Sequence, residues 1–178
     1  LCAGSDARPH PDLTALLRAT VPDVVTVATP DDAHVAPTLE ALAAGCDVFC
    51  EKPLATRLGD ARRMVSAART AGRRLGVDYN RRFGFGYRQA RAWVDDGRIG
   101  NVSHAWVRVT DGIVPAYRPG PHSLLYTLLT HHVDLMRWFC GEVVSVHLRA
   151  DNLSPCGRLR DAVLSLSFDS GALGTIVA

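Results

Sequence analysis

The chain has 178 residues, of which 47% are hydrophobic and 21% charged, with a formal net charge of +2 at pH 7. This balance is typical of a globular protein. The arginines form no basic stripe with interleaved aromatic residues, which argues against a nucleic-acid-binding protein. We find neither the roughly 18 consecutive apolar residues of a membrane span nor a signal-peptide pattern.

The cysteines indicate a reducing compartment. There are five, at unrelated spacings: Cys2, Cys46, Cys50, Cys140 and Cys156. Cys46 and Cys50 suggest a metal pair as the alternative, but neither a CxxC motif nor a second paired cluster accompanies them. We interpret the thiols as small buried hydrophobic groups, and we predict a cytoplasmic protein without a metal site.

The first half of the sequence alternates helical and strand patterns. The predicted helices cover 13–18, 34–44 and 56–72, with Thr56 as the cap of the third. The predicted strands cover 24–28, 47–50 and 75–79. Alternating strands and helices with short connections are typical of a parallel sheet with right-handed crossovers. We therefore predict part of a doubly wound α/β fold.

The second half changes character after a boundary near 79–83. The predicted helices cover 87–95 and 124–139, and the predicted strands cover 101–110, 143–149, 162–168 and 172–177. Successive strands without intervening helices favour an antiparallel sheet. The fold class expected is α/β: a partial parallel sheet, then a partial α+β domain with a mainly antiparallel sheet.

A lysine follows the second predicted strand. Glu51-Lys52-Pro53 comes directly after the apolar run 48–50, and Pro53 ends that strand. Ligands of open parallel sheets bind at the carboxyl ends of the strands, where Lys52 is expected. An ammonium there can hold a substrate hydroxyl and stabilise the charge that develops as its proton leaves. The alternative is a solvated surface lysine.

A second group of polar residues lies in the predicted helix 124–139. Thr127, His131 and Asp134 are separated by four and three residues, so a helix places them on one face. His131 can then lie beside a hydroxyl and a carboxylate, and Asp134 can raise the basicity of the imidazole or hold a polar ligand. His132 falls on a flank. The alternative is a pair of partly buried histidines packed against apolar neighbours.

Four segments together resemble the Gfo/Idh/MocA oxidoreductase family, which includes glucose–fructose oxidoreductase and inositol dehydrogenases. They are the strand and turn of 24–34, Glu51-Lys52-Pro53, the Y-N-R-R-F junction of 79–83 and the H-H-V-D-L segment of 131–135. Asp31 takes the place of the family's Asn in the T-P-N-x-x-H turn. Each motif is weak alone, but four in the family's order and spacing form a specific signal.

The resemblance implies an NAD- or NADP-dependent enzyme that transfers a hydride between nicotinamide and a secondary alcohol or ketone of a sugar or cyclic polyol. The implied catalytic residues, acting on one oxygen, are Lys52 and His131. The implied cofactor-binding residues are Thr29, Pro30, His34, Glu51, Lys52 and Asn80. The implied substrate-binding residues are Thr127, Asp134 and Arg81. Residues 1–80 would form a partial dinucleotide-binding (Rossmann) domain, and 81–178 a partial substrate and oligomerisation domain.

The resemblance also implies a homo-oligomer that associates through the face of its second sheet, with a sugar-like small molecule as ligand. The charge pattern and the lack of a long apolar run give no case for a nucleic-acid or membrane partner. The chain departs from the family in two ways. Thr127 stands where members commonly have Asp, and the family's first strand, glycine-rich turn, first helix and second strand are missing. Since the sequence starts with Leu and stops within a strand pattern, we expect both ends to be cut and the fragment to bind dinucleotide poorly.

Two other functions stay open at this point. A non-catalytic relative that senses sugars or serves as a scaffold would keep the fold, and Thr127 motivates that alternative. A reductase of an imine or a tetrapyrrole-like substrate on the same fold is the third option.

Overall fold

The structure, a computed structural model, describes residues 6–109, 129–151 and 161–178. The chain divides into two compact units, Leu1–Asp78 and Tyr79–Ala178. In the described ranges, no helix combines the length and apolarity needed to cross a membrane.

The first unit is a parallel α/β unit. Its helices are α1 (Leu13–Thr20), α2 (Val35–Ala43) and α3 (Leu58–Ala71), and its strands are β1 (Val24–Val27), β2 (Asp47–Cys50) and β3 (Leu75–Val77). The strand order is β1-β2-β3, and both pairings are parallel. This arrangement confirms the partial doubly wound sheet predicted from the alternating pattern.

The core of the first unit lies between the sheet and the helices that cover it. Leu42 of α2, Met64 of α3 and Cys50 of β2 are almost completely buried within it. Helix α3 begins after Arg57, which is extended and makes no side-chain cap. The prediction of Thr56 as the cap was therefore wrong by one residue. Gly72 ends the helix in the left-handed conformation that glycine adopts at little cost.

The second unit is built around a four-stranded sheet. Its helices are α4 (Phe85–Asp95) and α5 (Thr130–Cys140), and its strands are β4 (His104–Arg108), β5 (Val143–Asp151), β6 (Asp161–Phe168) and β7 (Leu173–Val177). The strand order is β4-β7-β6-β5. The β5–β6 and β6–β7 pairings are antiparallel and the β4–β7 pairing is parallel, which confirms a mainly antiparallel sheet.

Helix α5 covers one face of this sheet. Leu166 of β6 pairs with Gly174 of β7, and both face the helix. A Cβ at Gly174 would lie 3.0 Å from the sulfur of Met136 and 2.9 Å from the ring of Phe168, so glycine permits the close approach. Residues 124–128 of the predicted helix lie outside the described residues.

Candidate active site

The three parallel strands of the first unit have their carboxyl ends at the same edge of the sheet. The predicted cofactor-binding residues of this unit lie in the segments that follow β1 and β2. The segment after β1 carries Thr29 and Pro30, which are exposed, and the segment after β2 carries Glu51 and Lys52, which are half-buried. The backbone N–H of Glu51 donates to the carbonyl of Val27 at 2.9 Å, so the pairing with β1 continues one residue past the end of β2. Because the strands are parallel, the two segments leave the same carboxyl edge.

His34 connects these two segments. Its Nδ1 lies 2.8 Å from the carbonyl oxygen of Pro53, and its Nε2 lies 2.9 Å from the carbonyl oxygen of Thr29. The residue stands between a 3₁₀ turn (Asp31–Ala33) and α2, and its side chain is 0% exposed. We predicted that His34 lines the cofactor crevice. A side chain without exposed surface does not line a crevice, so any effect of His34 on a ligand has to pass through its neighbours.

The backbone around Lys52 is held by local bonds. The N–H of Lys52 donates to the Glu51 carboxylate at 3.2 Å, and the Lys52–Pro53 peptide bond is cis. The thiol of Cys50, the residue before Glu51, is buried, and that burial raises its pKa. A buried thiol with a raised pKa is a packing group rather than a nucleophile.

Cys46 and Cys140 are likewise buried and form no disulfide. These positions agree with the interpretation of the cysteines as hydrophobic residues. In the described part of the chain, no three His, Cys, Asp or Glu side chains come together in a way that could hold a metal ion.

In the second unit, Arg82 and the buried Asp134 form a partly buried ion pair. The guanidinium of Arg82 donates from Nε to Oδ2 at 2.7 Å and from Nη2 to Oδ1 at 2.6 Å. Arg82 also lies over the ring of Trp138, 5.6 Å from its centroid. Hydrogen bonding to Asp134 raises the pKa of Arg82. The pair fastens the 3₁₀ turn of Asn80–Phe83 to α5.

The remaining predicted residues of that turn differ in exposure. Asn80 is exposed. Nη1 of Arg81 lies 3.0 Å from Nε2 of His132, a buried residue that the helical pattern had placed on a flank. Because arginine only donates, this contact requires a ring nitrogen of His132 to accept.

His131 lies on α5 next to an aromatic ring. The rings of His131 and Tyr79 meet edge to face, with centroids 6.4 Å apart. Burial raises the pKa of Tyr79, and the negative charge of Asp134 adds to the effect. The third member of the predicted helical face, Thr127, lies outside the described residues.

A pocket of about 270 Å³ adjoins this cluster within the second unit. Its lining residues come from the start of the unit, from α5 and from β6: Tyr79, Leu129, Thr130, Val133, Asp134, Arg137 and Leu164. Asp134 thus faces the pocket although both of its oxygens accept from Arg82. Two carboxylate oxygens offer about four acceptor positions, so Asp134 retains capacity for a ligand donor.

Sequence reasoning missed the partners of these residues. It named Asp134 but not Arg82, and His131 but not Tyr79, because 52 residues separate each pair and no short-range pattern connects them. Both partners belong to the Y-N-R-R-F junction, so this motif was the signal that could have identified them from the sequence.

Comparisons with known proteins bear on both units. Residues 2–79 match the family described as "Oxidoreductase family, NAD-binding Rossmann fold", and residues 87–178 match the "GFO/IDH/MocA C-terminal domain". The inositol 2-dehydrogenase of Gluconacetobacter diazotrophicus is 40% identical over 133 residues, which are 71% of this chain and 39% of that protein. The D-glucoside 3-dehydrogenase of Escherichia coli is 43% identical over 91 residues, 51% of this chain and 26% of that protein.

Two solved structures of dehydrogenases or their homologues have folds similar to that of this chain. The WlbA dehydrogenase from Bordetella pertussis, in complex with NADH and UDP-GlcNAcA, has a TM-score of 0.86 at 30% identity and covers 99% of this chain. An inositol dehydrogenase homologue from Azotobacter vinelandii, with NADH and myo-inositol, has a TM-score of 0.78 at 28% identity. This chain spans 54% and 44% of those two chains. Since consecutive parts of the chain match the two domains in the family's order, this chain belongs to the GFO/IDH/MocA family of oxidoreductases.

Proposed function

We propose that the complete protein is an NAD- or NADP-dependent oxidoreductase that transfers a hydride between nicotinamide and a secondary alcohol or ketone of a sugar or cyclic polyol. The observation that carries the proposal is the position of Lys52, directly after β2 at the carboxyl edge of a parallel sheet, in a chain of this family. The named relatives that act on inositol and on glucosides support the substrate class.

The residues at the carboxyl edge fit the nicotinamide end of such a cofactor. Thr29 and Pro30 are exposed there, and the half-buried Glu51 and Lys52 leave the same edge, where open parallel sheets bind ligands. Asn80 is exposed and remains a proposed contact. When bound, the nicotinamide supplies or accepts the hydride.

The protein's own residues transfer the hydroxyl proton and stabilise the charge on the reacting oxygen. Lys52 donates a hydrogen bond to the reacting oxygen and stabilises developing alkoxide. His131 exchanges the hydroxyl proton, because the imidazole is the side chain whose free pKa of about 6.5 suits work near neutrality. We propose Asp134, Arg81 and Thr127 as the groups that hold substrate hydroxyls. The pocket beside Asp134 supports its part in this set.

The lysine itself supports this assignment. Lys52 is the single lysine of the sequence, in which the other 19 of the 20 Lys and Arg residues are arginines. An arginine is always charged and holds its protons tightly, whereas an ammonium is a compact donor whose pKa shifts with its surroundings. A chain with an otherwise uniform use of arginine thus has lysine at the position where the proposed chemistry needs an ammonium.

We further propose that residues 1–80 belong to the dinucleotide-binding domain and 81–178 to the substrate and oligomerisation domain.

The sheet face opposite α5 is the proposed surface of self-association, since Trp106, Val163 and Leu173 are exposed on it. We propose no nucleic-acid partner and no membrane partner. The buried free thiols of Cys46, Cys50 and Cys140 fit a cytoplasmic location.

The test is an oxidation assay with the complete natural protein. It is incubated with NAD⁺ or NADP⁺ and a panel of myo-inositol, glucosides and nucleotide sugars, and reduced nicotinamide is followed by absorbance. Reduction that Lys52→Met abolishes supports the proposal. Calorimetric binding of both cofactor and sugar without any reduction of the cofactor contradicts it and favours the non-catalytic alternative.

A further inference from the structure

His34 is buried between the two segments that carry the proposed cofactor and catalytic residues of the first unit. Its side chain has no exposed surface, and each ring nitrogen lies within 2.9 Å of a backbone carbonyl oxygen. A buried polar ring without hydrogen bonds would be costly, so these two contacts are what make its position tolerable. We propose that His34 is a positioning residue, which ties the turn after β1 to the loop after β2 and so holds the backbone at Lys52.

The geometry supports this role because the two acceptors belong to different segments. Thr29 follows β1, and Pro53 follows β2, immediately after Lys52. A carbonyl oxygen only accepts, so both contacts are hydrogen bonds at the same time only when both ring nitrogens carry protons, as in the imidazolium form. His34 therefore connects the backbones of the two segments rather than their side chains. Its second anchor is local, because the N–H of Thr38 donates to its carbonyl in the first turn of α2.

The position of Lys52 affects the reaction rate only if Lys52 is catalytic, so the catalytic part of this inference rests on the proposed function. Misplacing a catalytic group by about 1 Å can cost on the order of 100-fold in rate. The loop after β2 is also bonded before Pro53: the Glu51 N–H donates to the carbonyl of Val27, and the Lys52 N–H donates to the adjacent Glu51 side chain. The His34 contact at Pro53 adds a bond on the far side of Lys52.

Two substitutions separate the two contacts. His34→Asn places an amide nitrogen near the position of Nδ1 and can keep the bond to Pro53, whereas His34→Gln places one near the position of Nε2 and can keep the bond to Thr29. Thr38→Val is the matched control, since Thr38 is also 0% exposed and lies one helical turn away. If His34 only fills space, the Asn and Gln variants should behave alike.

The experiment uses the complete protein and two readouts that do not depend on activity. Amide hydrogen exchange is measured over 31–33 and over 52–56. Separately, lysines are reductively methylated with ¹³C, and the signal of Lys52 is assigned by its loss in Lys52→Arg. We expect His34→Gln to accelerate exchange at 52–56 and to shift the Lys52 signal. We expect His34→Asn to leave both near their original values and to accelerate exchange at 31–33, and Thr38→Val to change neither segment.

In the oxidation assay we expect His34→Gln to lower kcat by on the order of tenfold or more, while His34→Asn stays within about threefold. Equal changes in the Asn and Gln variants, or none in either, would overturn the inference. If neither variant folds, NMR of the wild-type protein still decides, because a ring bonded at both nitrogens gives two slowly exchanging imidazole N–H signals, whereas a single N–H signal or rapid exchange contradicts the bridge. Expected exchange and NMR results without oxidation of any sugar would leave His34 as the bridge and reject the proposed function alone.

Discussion

Arg82 donates two hydrogen bonds to the carboxylate of Asp134, at 2.7 Å and 2.6 Å, across 52 residues of sequence. The Asp134 side chain is 7% exposed and that of Arg82 is 37% exposed. A planar guanidinium matches a carboxylate in this parallel arrangement, which adds geometric specificity to the attraction of the charges. The pair therefore sets where the 3₁₀ turn of Asn80–Phe83 lies against α5, and with it the position of Tyr79 beside His131.

The first prediction concerns the strength of this pair. Removing one member of a buried pair leaves an uncompensated charge, at a cost of about 3–5 kcal/mol for full burial. Since Arg82 is partly exposed, we expect Asp134→Asn to lower the free energy of unfolding by about 1–3 kcal/mol, and a double-mutant cycle with Arg82→Met to give a coupling energy of similar size.

Urea unfolding measures this coupling energy, and the Arg137–Glu142 pair provides the comparison. That pair has the same forked geometry, with a shortest distance of 2.6 Å, but its side chains are 45% and 67% exposed. We expect its coupling energy to stay below about 1 kcal/mol. Equal coupling energies in the two cycles would show that burial does not strengthen the Arg82–Asp134 pair.

The second prediction is a pH dependence at Asp47. Its carboxylate accepts from the backbone N–H of Arg74 at 2.8 Å and from the guanidinium at 2.7 Å, and these bonds lower its pKa in the folded state. A lowered pKa contributes stability that is fully present above the unfolded pKa of about 3.9 and is lost as the pH falls through the folded value.

Asp47→Asn should therefore reduce stability most near neutral pH, and the difference from wild type should shrink below about pH 4. Chemical denaturation between acidic and neutral pH measures this difference. Asp23→Asn, at an exposed aspartate just before β1, is the control. A wild-type advantage that stays constant down to the most acidic condition would contradict the assignment.

The third prediction uses two glycines with positive φ. Gly141, with φ of 95°, follows α5, and a Cβ there would overlap Oδ1 of Asp169, which accepts from the N–H of Glu142 at 2.9 Å. Gly171 has φ of 85° but open space around it. We expect Gly171→Ala to cost about 1–2 kcal/mol from backbone strain alone, and Gly141→Ala to cost about 3 kcal/mol or more. Urea unfolding should show this order, and the reverse order would refute the steric argument.

The fourth prediction concerns the proposed catalytic residues. In the complete protein, Lys52→Met and His131→Asn should each lower kcat by about 100-fold or more, since one removes the donor to developing alkoxide and the other the proton acceptor. Steady-state kinetics measure the loss, and circular dichroism verifies folding. Arg98→Met, at an exposed cation, is the control, and its activity should match wild type. Full activity of either variant would remove that residue from the mechanism.

The fifth prediction tests the proposed association surface. Trp106 is 61% exposed on the sheet face opposite α5, where it pairs with Thr175. If this face joins two copies, Trp106→Lys should weaken self-association by on the order of tenfold or more, because buried aromatic residues dominate interface energies. Val146 is 63% exposed, but its pairing with Leu166 places it on the opposite face. Val146→Lys should leave the mass measured by light scattering unchanged; loss of the oligomer in that variant alone would assign the interface to the other face.

The sequence by itself predicted the elements and their order. The predicted strands 24–28, 47–50 and 75–79 are observed as Val24–Val27, Asp47–Cys50 and Leu75–Val77. Short β-branched or apolar runs bounded by proline, glycine or charged residues are local signals, which is why the sequence predicted them. Pro53 marked the end of β2, and that end placed Lys52 at the carboxyl edge of the sheet. The Y-N-R-R-F and H-H-V-D-L motifs are two segments of the second unit whose side chains the structure brings into contact.

Only the tertiary structure decided what these side chains contact. The sequence placed His34 in a turn but could not show that both ring nitrogens face the carbonyls of Thr29 and Pro53. Nor could it show that Asp134 is bonded to Arg82. The physical reason is range: periodicity and propensity act over a few residues, whereas a buried polar group is satisfied by whichever partner the packed chain brings within about 3 Å.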